Sequence, residues 1–424
     1  MDCISVIHYY YTMYKFIQKI LCKTQTYLGT DLRYLIQGGF WLVMAQTLNA
    51  LVAFLMLIAF ANLLPKETFG MYKYILSITA ILAIPTLDRM RVAITRSVAV
   101  GDEGTLLVAT KTQMRWGLLG GIGAIIVALY YFTQGNIQLS LCFLISSAFL
   151  PFMDSLNSAN AFLAGRKLFK ETSWVVATER IIELIVTVLI LLYSNNILLV
   201  VFGYFTINTL TRLVVFYWVV KRFKPNKSVN NSAIGYGKHL SLMSIVGAIS
   251  GELDKILLWQ FLGPLSLAVY SIAQSPVMRI QSVLSSIESL AFPKFATQEK
   301  ESIKKTLPRK MLHLRLLMIA ITAVYIISAP LLYQWFLPKY ASSVIYSQFF
   351  AIILLFLPQK FTGSALTAQT QTRSLYIFSI ISPIVKIGFM LILIPIFGIA
   401  GAIAASIILY ITNAFILNYF FKRM

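Results

Sequence analysis

The sequence contains few of the residues that build metal centres and catalytic sites. Of its 424 residues only 3 are Cys, 3 are His and 15 are acidic. Cys3, Cys22 and Cys142 show no Cys-x-x-Cys spacing and have no His at ligand spacing, so we predict neither a disulfide framework nor a metal site. The loops also lack Walker A, Gly-x-Ser-x-Gly, His-Glu-x-x-His and glycine-rich dinucleotide motifs, so we expect no enzyme and no cofactor.

Apolar residues dominate what is present. Hydrophobic side chains make up 58% of the chain and charged ones only 12%. A soluble domain cannot cover that much apolar surface, whereas a bilayer accepts it in helices of about 20 residues. The pattern therefore predicts an all-α integral membrane protein with about 12 transmembrane helices. The predicted spans are roughly 38–62, 69–98, 114–132, 137–163, 172–193, 197–220, 237–261, 265–290, 312–336, 342–359, 374–394 and 398–420.

Basic residues outnumber acidic ones by 36 to 15, which gives a formal net charge of +21. In a soluble protein this excess would suggest nucleic acid, but here the basic residues cluster in alternate loops, so we expect no nucleic-acid partner. The same clustering predicts a multi-pass protein with both termini in the cytoplasm. The opposite loops and their edges carry only Lys66, Lys73 and Lys339.

The spans divide into two sets of six at a basic linker. Two stretches of the first set have an echo in the second: Leu64–Tyr72 resembles Leu262–Tyr270, and Ala161–Arg166 resembles Ala365–Gln369. Such repeats suit a transporter in which two similar bundles rock about a site between them. The predicted segments are a cytoplasmic N-terminal tail over 1–36, a six-helix lobe over 37–220, a cytoplasmic linker over 221–236 and a second six-helix lobe over 237–424.

Charged residues inside the predicted spans are the most informative feature. Each costs roughly 2.5–3.5 kcal/mol at the centre of a bilayer, so a group of them indicates a hydrated or protein-lined interior. Basic groups there suit an anion, because Arg offers a fork of donors that matches phosphate. The candidates for binding an anionic head group are Arg89, Arg91, Arg180, Arg212, Lys255, Arg279 and Lys386.

The acidic residues of the spans can pair with these cations, or they can carry protons or Na⁺ as a coupling site. Glu179 and Glu183 share a helix face, whereas Arg180 points about 100° away from Glu179, so we expect Arg180 to pair with another helix. The alternative is that the charges form interhelical salt bridges that only fix the packing. The candidates for ion coupling are Asp88, Asp154, Glu179, Glu183, Glu252, Asp254 and Glu288.

Four stretches, in their order and spacing, are similar to one known family. From about residue 37 onward the chain resembles the polysaccharide-transport branch of the multidrug/oligosaccharidyl-lipid/polysaccharide exporter superfamily, whose best-known members are O-antigen flippases. The stretches are Leu64–Tyr72 at the first hairpin, Phe162–Phe169 after span four, Asp254–Leu258 with Phe261–Gly263 and Tyr270–Ala273 around spans seven and eight, and Phe397–Ala404 before the last span.

The resemblance implies two six-helix lobes around a central cavity in the bacterial inner (plasma) membrane. It implies a substrate of sugars on polyprenyl pyrophosphate, turned from the cytoplasmic to the outer leaflet during O-antigen, lipopolysaccharide or other surface polysaccharide synthesis. A cationic cavity would receive the anionic head. Membrane lipids and polysaccharide assembly proteins are further expected partners, and a proton or Na⁺ gradient is a possible source of coupling.

Two other functions remain as alternatives. A cation-coupled multidrug exporter of the same superfamily would favour an acidic, aromatic-lined pocket, but basic groups are as numerous as acids inside the spans. A membrane polysaccharide polymerase would need a large outer loop with catalytic groups, and the predicted outer loops are very short.

Overall fold

The computed structural model describes residues 32–369 and 371–424, and these residues are helical almost throughout. The predicted tail, residues 1–36, lies almost wholly outside this part of the chain. No β-strand occurs within the described ranges, which agrees with the all-α class. The helices of the N-terminal half are α1 (Leu32–Leu63), α2 (Lys66–Leu82), α3 (Met90–Ala99), α4 (Thr105–Thr133), α5 (Ile137–Leu156), α6 (Ser158–Gly165), α7 (Phe169–Tyr193) and α8 (Ile197–Phe223).

The C-terminal half contains two very long helical elements, of 53 and 52 residues. Short 3₁₀ turns at Pro338–Tyr340 and Ile352–Phe356 separate some of its other helices. The helices of this half are α9 (Asn231–Met243), α10 (Ile245–Thr297), α11 (Lys300–Phe336), α12 (Ser343–Ala351), α13 (Gln359–Ala368) and α14 (Thr372–Arg423).

The long element α10 folds back on itself at Gly263. This residue has φ 76°, a left-handed backbone that favours glycine. Across the turn, the hydroxyl of Tyr270 donates to the carboxylate of Asp254 at 2.7 Å, although the two lie 16 residues apart. A straight helix of that length would separate them by about 24 Å. The element α10 is therefore a helical hairpin.

The element α14 reverses in the same way at Gly398, where φ is 58°. A Cβ added to Gly401 would lie 2.0 Å from the carbonyl oxygen of Leu393, so the two arms of this hairpin touch. A Cβ added to Gly398 would lie 3.1 Å from a methyl carbon of Leu262, beside the Gly263 turn. Both reversals thus lie at one end of the molecule, which we call the hairpin end.

The opposite end carries basic loops that contact one another. The guanidinium of Arg166 donates to both carboxylate oxygens of Glu103 at 2.6 and 2.7 Å, and to the carbonyl of Phe223 at 3.3 Å. This bidentate hydrogen bond lowers the pKa of Glu103 below its usual range. We call this end the basic end; its connected loops are residues 100–104, 166–168 and 224–230.

The chain between the two halves is fastened to the N-terminal half. The side-chain oxygen of Asn226 accepts hydrogen bonds from the backbone N–H groups of Glu103 and Gly104 at 3.2 and 3.3 Å. Further on, α9 packs against α3 so closely that a Cβ on Gly237 would lie 2.7 Å from the sulfur of Met90. Part of the predicted linker and the start of the predicted second lobe therefore pack on the N-terminal half.

The second predicted span is bent by 46° between α2 and α3. A 3₁₀ turn at Ile84–Thr86 and a left-handed Leu87 (φ 58°) interrupt the helix. The carbonyls of Thr86 and Leu87 each accept a hydrogen bond of 3.2 Å from the buried amide of Gln113. A helix can break at membrane depth only when its freed carbonyls find such partners. The two charged residues that follow the break are exposed.

Eight helices of the described residues are long and apolar enough to span a membrane, or nine if the bent pair counts as one more span. Two of these eight contain the helical hairpins α10 and α14. Each hairpin has two arms but is counted once. The helix α7 is 25 residues long but outside this set, since it carries Glu179, Arg180 and Glu183. The membrane class of the fold is confirmed, and the count of twelve spans in two lobes stays a prediction.

Candidate functional site

A cavity of about 1120 Å³ lies between the two halves of the chain. Its wall is formed by α2, α3, α5 and α8 from the N-terminal half, and by α9, α10 and α14 from the C-terminal half. Residues near the α9–α10 junction, such as Ser241 and Ser244, and residues near the start of α14, such as Ser379, place the cavity toward the basic end.

Direct contacts between the halves close the hairpin end. The rings of Tyr74 and Trp259 stack with centroids 4.4 Å apart. A Cβ added to Gly70 would lie only 1.9 Å from the carbonyl oxygen of Pro264, so α2 and the second arm of α10 are in close contact. Both features lie between the cavity and the hairpin end, so access to the cavity is from the basic end.

The connection between α1 and α11 adds to this closure. The amide of Asn62 donates to the carbonyl of Phe336 at 2.8 Å, and the ammonium of Lys339 donates to the carbonyl of Asn62 at 2.6 Å. The aromatic ring of Tyr340 meets that of Phe69 edge-on at 6.4 Å. These contacts join the hairpin ends of the two halves beyond the cavity.

Seven charged side chains line the cavity. The sequence analysis identified six of them as deep charges, and they come from both halves of the chain. Lys73 is the seventh, which the sequence analysis had assigned to the edge of an outer loop. The full set is Lys73, Asp88, Arg89, Asp154, Glu252, Lys255 and Arg279.

Each carboxylate in the lining has a basic partner. Asp88 forms an ion pair with Arg91, one turn away on the same segment. Glu252 and Lys255 form a second pair, with their charged atoms 2.6 Å apart.

Asp154 forms the third pair, and it is the longest. Its carboxylate lies 3.6 Å from the guanidinium of Arg212 and accepts a 3.3 Å hydrogen bond from the Thr86 hydroxyl. Arg212 also donates to the carbonyl of Met153 at 2.6 Å. Through these three pairs, the acids of the lining are neutralised by neighbouring bases.

Three cations of the lining remain after these ion pairs are assigned. Lys73, Arg89 and Arg279 have no carboxylate within 4.0 Å of their charged nitrogens in the part of the chain that the structure describes. The ammonium of Lys73 lies 5.2 Å from the ring centroid of Phe69 and interacts electrostatically with Lys255, Arg279 and Glu252. The cavity therefore carries an excess of positive charge.

Hydroxyl groups form much of the remaining polar lining, a feature that the sequence analysis missed. The side chain of Gln274 also lines the cavity and donates to the Tyr270 hydroxyl at 3.4 Å. Single Ser and Thr residues are common in membrane helices. Only their common location in the wall of the cavity shows that these hydroxyls form a group. The lining hydroxyls belong to Ser77, Thr79, Tyr204, Ser241, Ser244, Ser271, Ser275, Ser379 and Ser382.

Five predicted residues of the N-terminal half lie outside the lining, and one of them, Arg91, is the ion-pair partner of the lining residue Asp88. Arg180 pairs with Glu183 at 2.6 Å on the same helix, so the expectation that it pairs with another helix was wrong. The amide of Asn208 on α8 donates to Glu183 at 3.4 Å. Glu179 lies between α7 and α8, and Arg212 stands behind the lining residue Asp154.

Three predicted residues of the C-terminal half also lie outside the lining. Asp254 is buried and accepts the hydroxyl hydrogen bond of Tyr270. Glu288 accepts a hydrogen bond from Ser364. The ammonium of Lys386 donates to the carbonyl of Ser250 and thereby joins α14 to α10.

Comparisons with known proteins agree with this architecture. The model of the family described as "Polysaccharide biosynthesis protein" matches residues 35–299. No curated protein gives a significant match to this chain.

Several solved structures share the fold. An inward-facing multidrug resistance MATE family transporter of the MOP superfamily aligns with TM-score 0.66 and 13% identity, over 89% of this chain and 95% of that one. An outward-facing transporter of the same kind aligns with TM-score 0.62 and 14% identity, over 94% and 97%. A MOP superfamily transporter from Pyrococcus furiosus Vc1, described by a binding pocket of reverse polarity, aligns with TM-score 0.60 and 13% identity, over 92% and 95%. At sequence identities this low, the similarity shows only that the fold is shared.

Proposed function

The chain belongs to the polysaccharide biosynthesis protein family, and from that premise we propose that it is a flippase for polyprenyl-pyrophosphate-linked oligosaccharide. The substrate is an O-antigen or another surface polysaccharide repeat unit. It moves from the cytoplasmic to the outer leaflet of the bacterial inner membrane by alternating access. The transporter fold and the membrane class support the coarser part of this proposal.

The excess positive charge of the cavity is the observation that carries the proposal. Lys73, Arg89 and Arg279 face a common space without a carboxylate partner among the described residues. Arg89 and Arg279 are exposed, so both guanidinium groups are accessible to an anion that enters the cavity. A pyrophosphate offers several anionic oxygens, which match the guanidinium forks of Arg89 and Arg279 and the point charge of Lys73.

The rest of the lining suits the sugars of such a substrate. Nine lining side chains carry hydroxyls, and Gln274 adds an amide. These groups both donate and accept hydrogen bonds, as do the hydroxyls of a sugar. A cavity of about 1120 Å³ is also above the usual range of drug-sized sites, which is about 300–1,000 Å³.

The charge of the loops supports an orientation for transport. Basic loops stay in the cytoplasm, so the basic end is proposed to be cytoplasmic. The cavity then faces the cytoplasm, where the substrate is made. Release on the other side requires the stack of Tyr74 on Trp259 and the contact of Gly70 with Pro264 to separate.

An ion gradient is proposed to drive the cycle through an acid of the lining. Asp154 is the best placed, since its 3.6 Å distance from Arg212 makes it the loosest of the three lining pairs. Protonation or Na⁺ binding there would release Arg212. Uptake of labelled substrate into vesicles under imposed gradients tests this step, and transport that ignores both gradients would rule it out.

A cation-coupled multidrug exporter is the alternative, because the structural neighbours include multidrug resistance transporters. A lipophilic cation needs an acid that is free to face it. Here the lining acids Asp88, Asp154 and Glu252 each have a basic partner. The charge of the cavity therefore favours the anionic substrate.

The test is complementation of a strain that lacks its own flippase, with surface polysaccharide as the readout. Arg89→Gln and Arg279→Gln should each reduce export about tenfold or more, the equivalent of about 1.4 kcal/mol, at unchanged amounts of protein in the membrane. Arg96→Gln is the matched control, because Arg96 lies on α3, seven residues or about two helix turns beyond Arg89, and outside the lining. Normal export by both cavity variants, or resistance to cationic drugs without any polysaccharide export, would overturn the proposal.

A further inference from the structure

We propose that a groove between α7 and α8 binds a membrane glycerophospholipid, with the lipid phosphate held at the basic end by Lys170 and Arg222. We call it the lateral groove. It has a volume of about 620 Å³ and lies in the N-terminal half, away from the central cavity. Its lining residues are Lys170, Glu171, Trp174, Val175, Thr178, Glu179, Ile182, Leu210, Thr211, Val214, Val215, Trp218 and Arg222.

The walls of the lateral groove fit an acyl chain. Branched aliphatic side chains from α7 and α8 face each other along its length, for example Ile182 and Val214. Trp174 and Val214 are well exposed at its surface. In a membrane this surface faces lipid, and a groove holds one chain more firmly than a flat helix face because it contacts the chain on two sides.

The mouth of the lateral groove fits an anionic head. Lys170 lies in the first turn of α7 and Arg222 in the last turn of α8, so both stand at the basic end. Neither has a carboxylate within 4.0 Å of its charged nitrogens in the described ranges. At the mouth these two basic groups outnumber the acid Glu171, whereas the second acid of the groove, Glu179, lies nine residues, or about 13 Å of helix, beyond Lys170. The mouth is therefore net positive and complements one phosphodiester.

Two contacts between basic groups and indole rings support an interfacial phosphate. Lys170 lies over the ring of Trp41 at 5.6 Å, and Arg222 lies over that of Trp218 at 5.3 Å. Trp side chains are enriched at the membrane interface, where lipid phosphates lie.

The occupant is a phospholipid of the membrane rather than the transported substrate. The lateral groove shares no lining residue with the central cavity, so a head group held by Arg89 and Arg279 does not occupy its mouth. Glu179 in the groove interacts electrostatically with Arg212, which is the partner of the cavity residue Asp154. A lipid in the groove therefore lies directly behind an ion pair of the cavity wall.

The experiment measures lipid retained by the purified full-length protein in detergent, by native mass spectrometry. Phosphatidylglycerol should be retained at least about tenfold better than diacylglycerol with the same acyl chains, because only the former carries a phosphate. The double substitution Lys170→Gln, Arg222→Gln should remove most of this preference. Lys221→Gln is the matched control, since Lys221 is the neighbour of Arg222, lies over Tyr217 and is outside the groove.

A second variant tests the groove without changing its charge. Val214→Trp fills the apolar part and should lower retention of phosphatidylglycerol to a similar extent. Elution of each variant at the volume of the unchanged protein in size-exclusion chromatography shows that it is folded. Equal retention in all variants would overturn the proposal.

The source of the phosphate is tested by competition. Displacement of phosphatidylglycerol by polyprenyl phosphate at equal concentration would overturn the assignment to a membrane phospholipid. Displacement by inorganic phosphate alone would reduce the site to a simple anion site and would also overturn it. Because binding is the readout, a failure here is independent of the transport activity proposed above.

Discussion

The role of each deep charge depends on its nearest partner. Lys66 and Lys73 are seven residues apart on α2, and loop-charge counting treats them alike. Lys66 lies 5.4 Å from the ring centroid of Tyr340 at the hairpin end, whereas Lys73 lines the central cavity. Seven residues of helix advance the chain by about 10 Å, which is enough to move a lysine from the interface into the membrane interior.

The pairing of Arg180 follows a local rule of helix geometry. Arg180 points about 100° away from Glu179, the residue before it, so these two do not pair. Glu183 lies three residues after Arg180, and side chains at i and i+3 are neighbours on a helix surface. The 2.6 Å ion pair between them could therefore be predicted from the sequence.

At the residue scale we predict a pH-dependent contribution from Glu103. Glu103→Gln should lower the free energy of unfolding at neutral pH by about 1–2 kcal/mol, because it removes a charge-assisted bidentate bond from Arg166. Arg166 lowers the folded-state pKa of Glu103 from its ordinary value of 4.5. The contribution is therefore present above about pH 4.5 and is lost as the pH falls through the folded-state pKa.

Thermal unfolding of the detergent-purified proteins at neutral and at acidic pH measures this contribution. The difference between Glu103→Gln and the unchanged protein should shrink at the lower pH. Glu301→Gln is the control, since the Glu301 side chain is 87% exposed and its only basic partner in the described ranges, Lys304, lies 4.0 Å away. A difference that stays constant with pH would contradict the assignment.

At the scale of helices, the two reversals within α10 and α14 follow from short local signals. The spans predicted from hydropathy leave gaps at 262–264 and 395–397, and the reversals occur at Gly263 and Gly398. Only a residue without a Cβ adopts these positive φ values at low cost. The positions of these two turns were therefore predicted from the local sequence to within about one residue.

The position of α9 did not follow from local signals. Its sequence reads as the start of a span in the second half, yet it packs on α3 of the first half. The hydrogen bonds of Asn226 to Glu103 and Gly104, which fasten the preceding loop, join residues more than 120 positions apart. No pattern within one segment predicts such a contact.

At this scale we predict that Gly401 is needed for the second hairpin. Gly401→Ala places a Cβ 2.0 Å from the carbonyl oxygen of Leu393, and backbone must move to relieve it. The expected loss of unfolding free energy is about 1–3 kcal/mol, as for other overpacked sites.

Gly388→Ala on the same element is the matched control for this prediction. No atom lies within 4 Å of a Cβ at Gly388, so alanine there should be neutral or should stabilise the helix by up to about 1 kcal/mol. Thermal unfolding of both variants gives the comparison. If Gly401→Ala were as stable as Gly388→Ala, the close approach of the two arms would be refuted.

On the scale of the whole molecule, the two ends of the cavity differ. The hairpin end is closed by contacts between the halves, and the cavity extends toward the basic end. The alternating-access cycle proposed above would open the hairpin end and close the basic end while the substrate stays in the cavity. In that cycle, the contacts that close the hairpin end have to break.

We predict that locking the hairpin end stops transport. Cys substitutions at Asn62 and Lys339, joined by a short reducible cross-linker, should abolish export because the Lys339 ammonium bonds the Asn62 carbonyl in the closed state. Cys3 and Cys22 are replaced by Ser in this background, while Cys142 is buried and can stay. Each single Cys variant treated with the same reagent is the control.

Reduction of the cross-link should restore export in the double variant. Surface polysaccharide before and after reduction is the readout. Undiminished export with the cross-link in place would show that the hairpin end does not open during transport.

Much of this molecule is determined by its sequence alone. The apolar runs set the membrane class, because a segment of about 20 apolar residues is stable in lipid whatever its neighbours are. The sequence also identified six of the seven charged residues of the cavity lining, because a charge inside an apolar run is visible without any contact. The reversals within α10 and α14 follow from glycine chemistry.

The tertiary structure decided which of those charges are neutralised. The pair of Asp154 with Arg212 joins residues on different helices, and its existence depends on how α5 and α8 pack. Only after the pairs are known do Lys73, Arg89 and Arg279 remain as the lining cations that have no carboxylate within 4.0 Å among the described residues. The physical reason is distance: an ion pair depends on a few ångströms between side chains, which the packing of helices sets and a one-dimensional pattern does not.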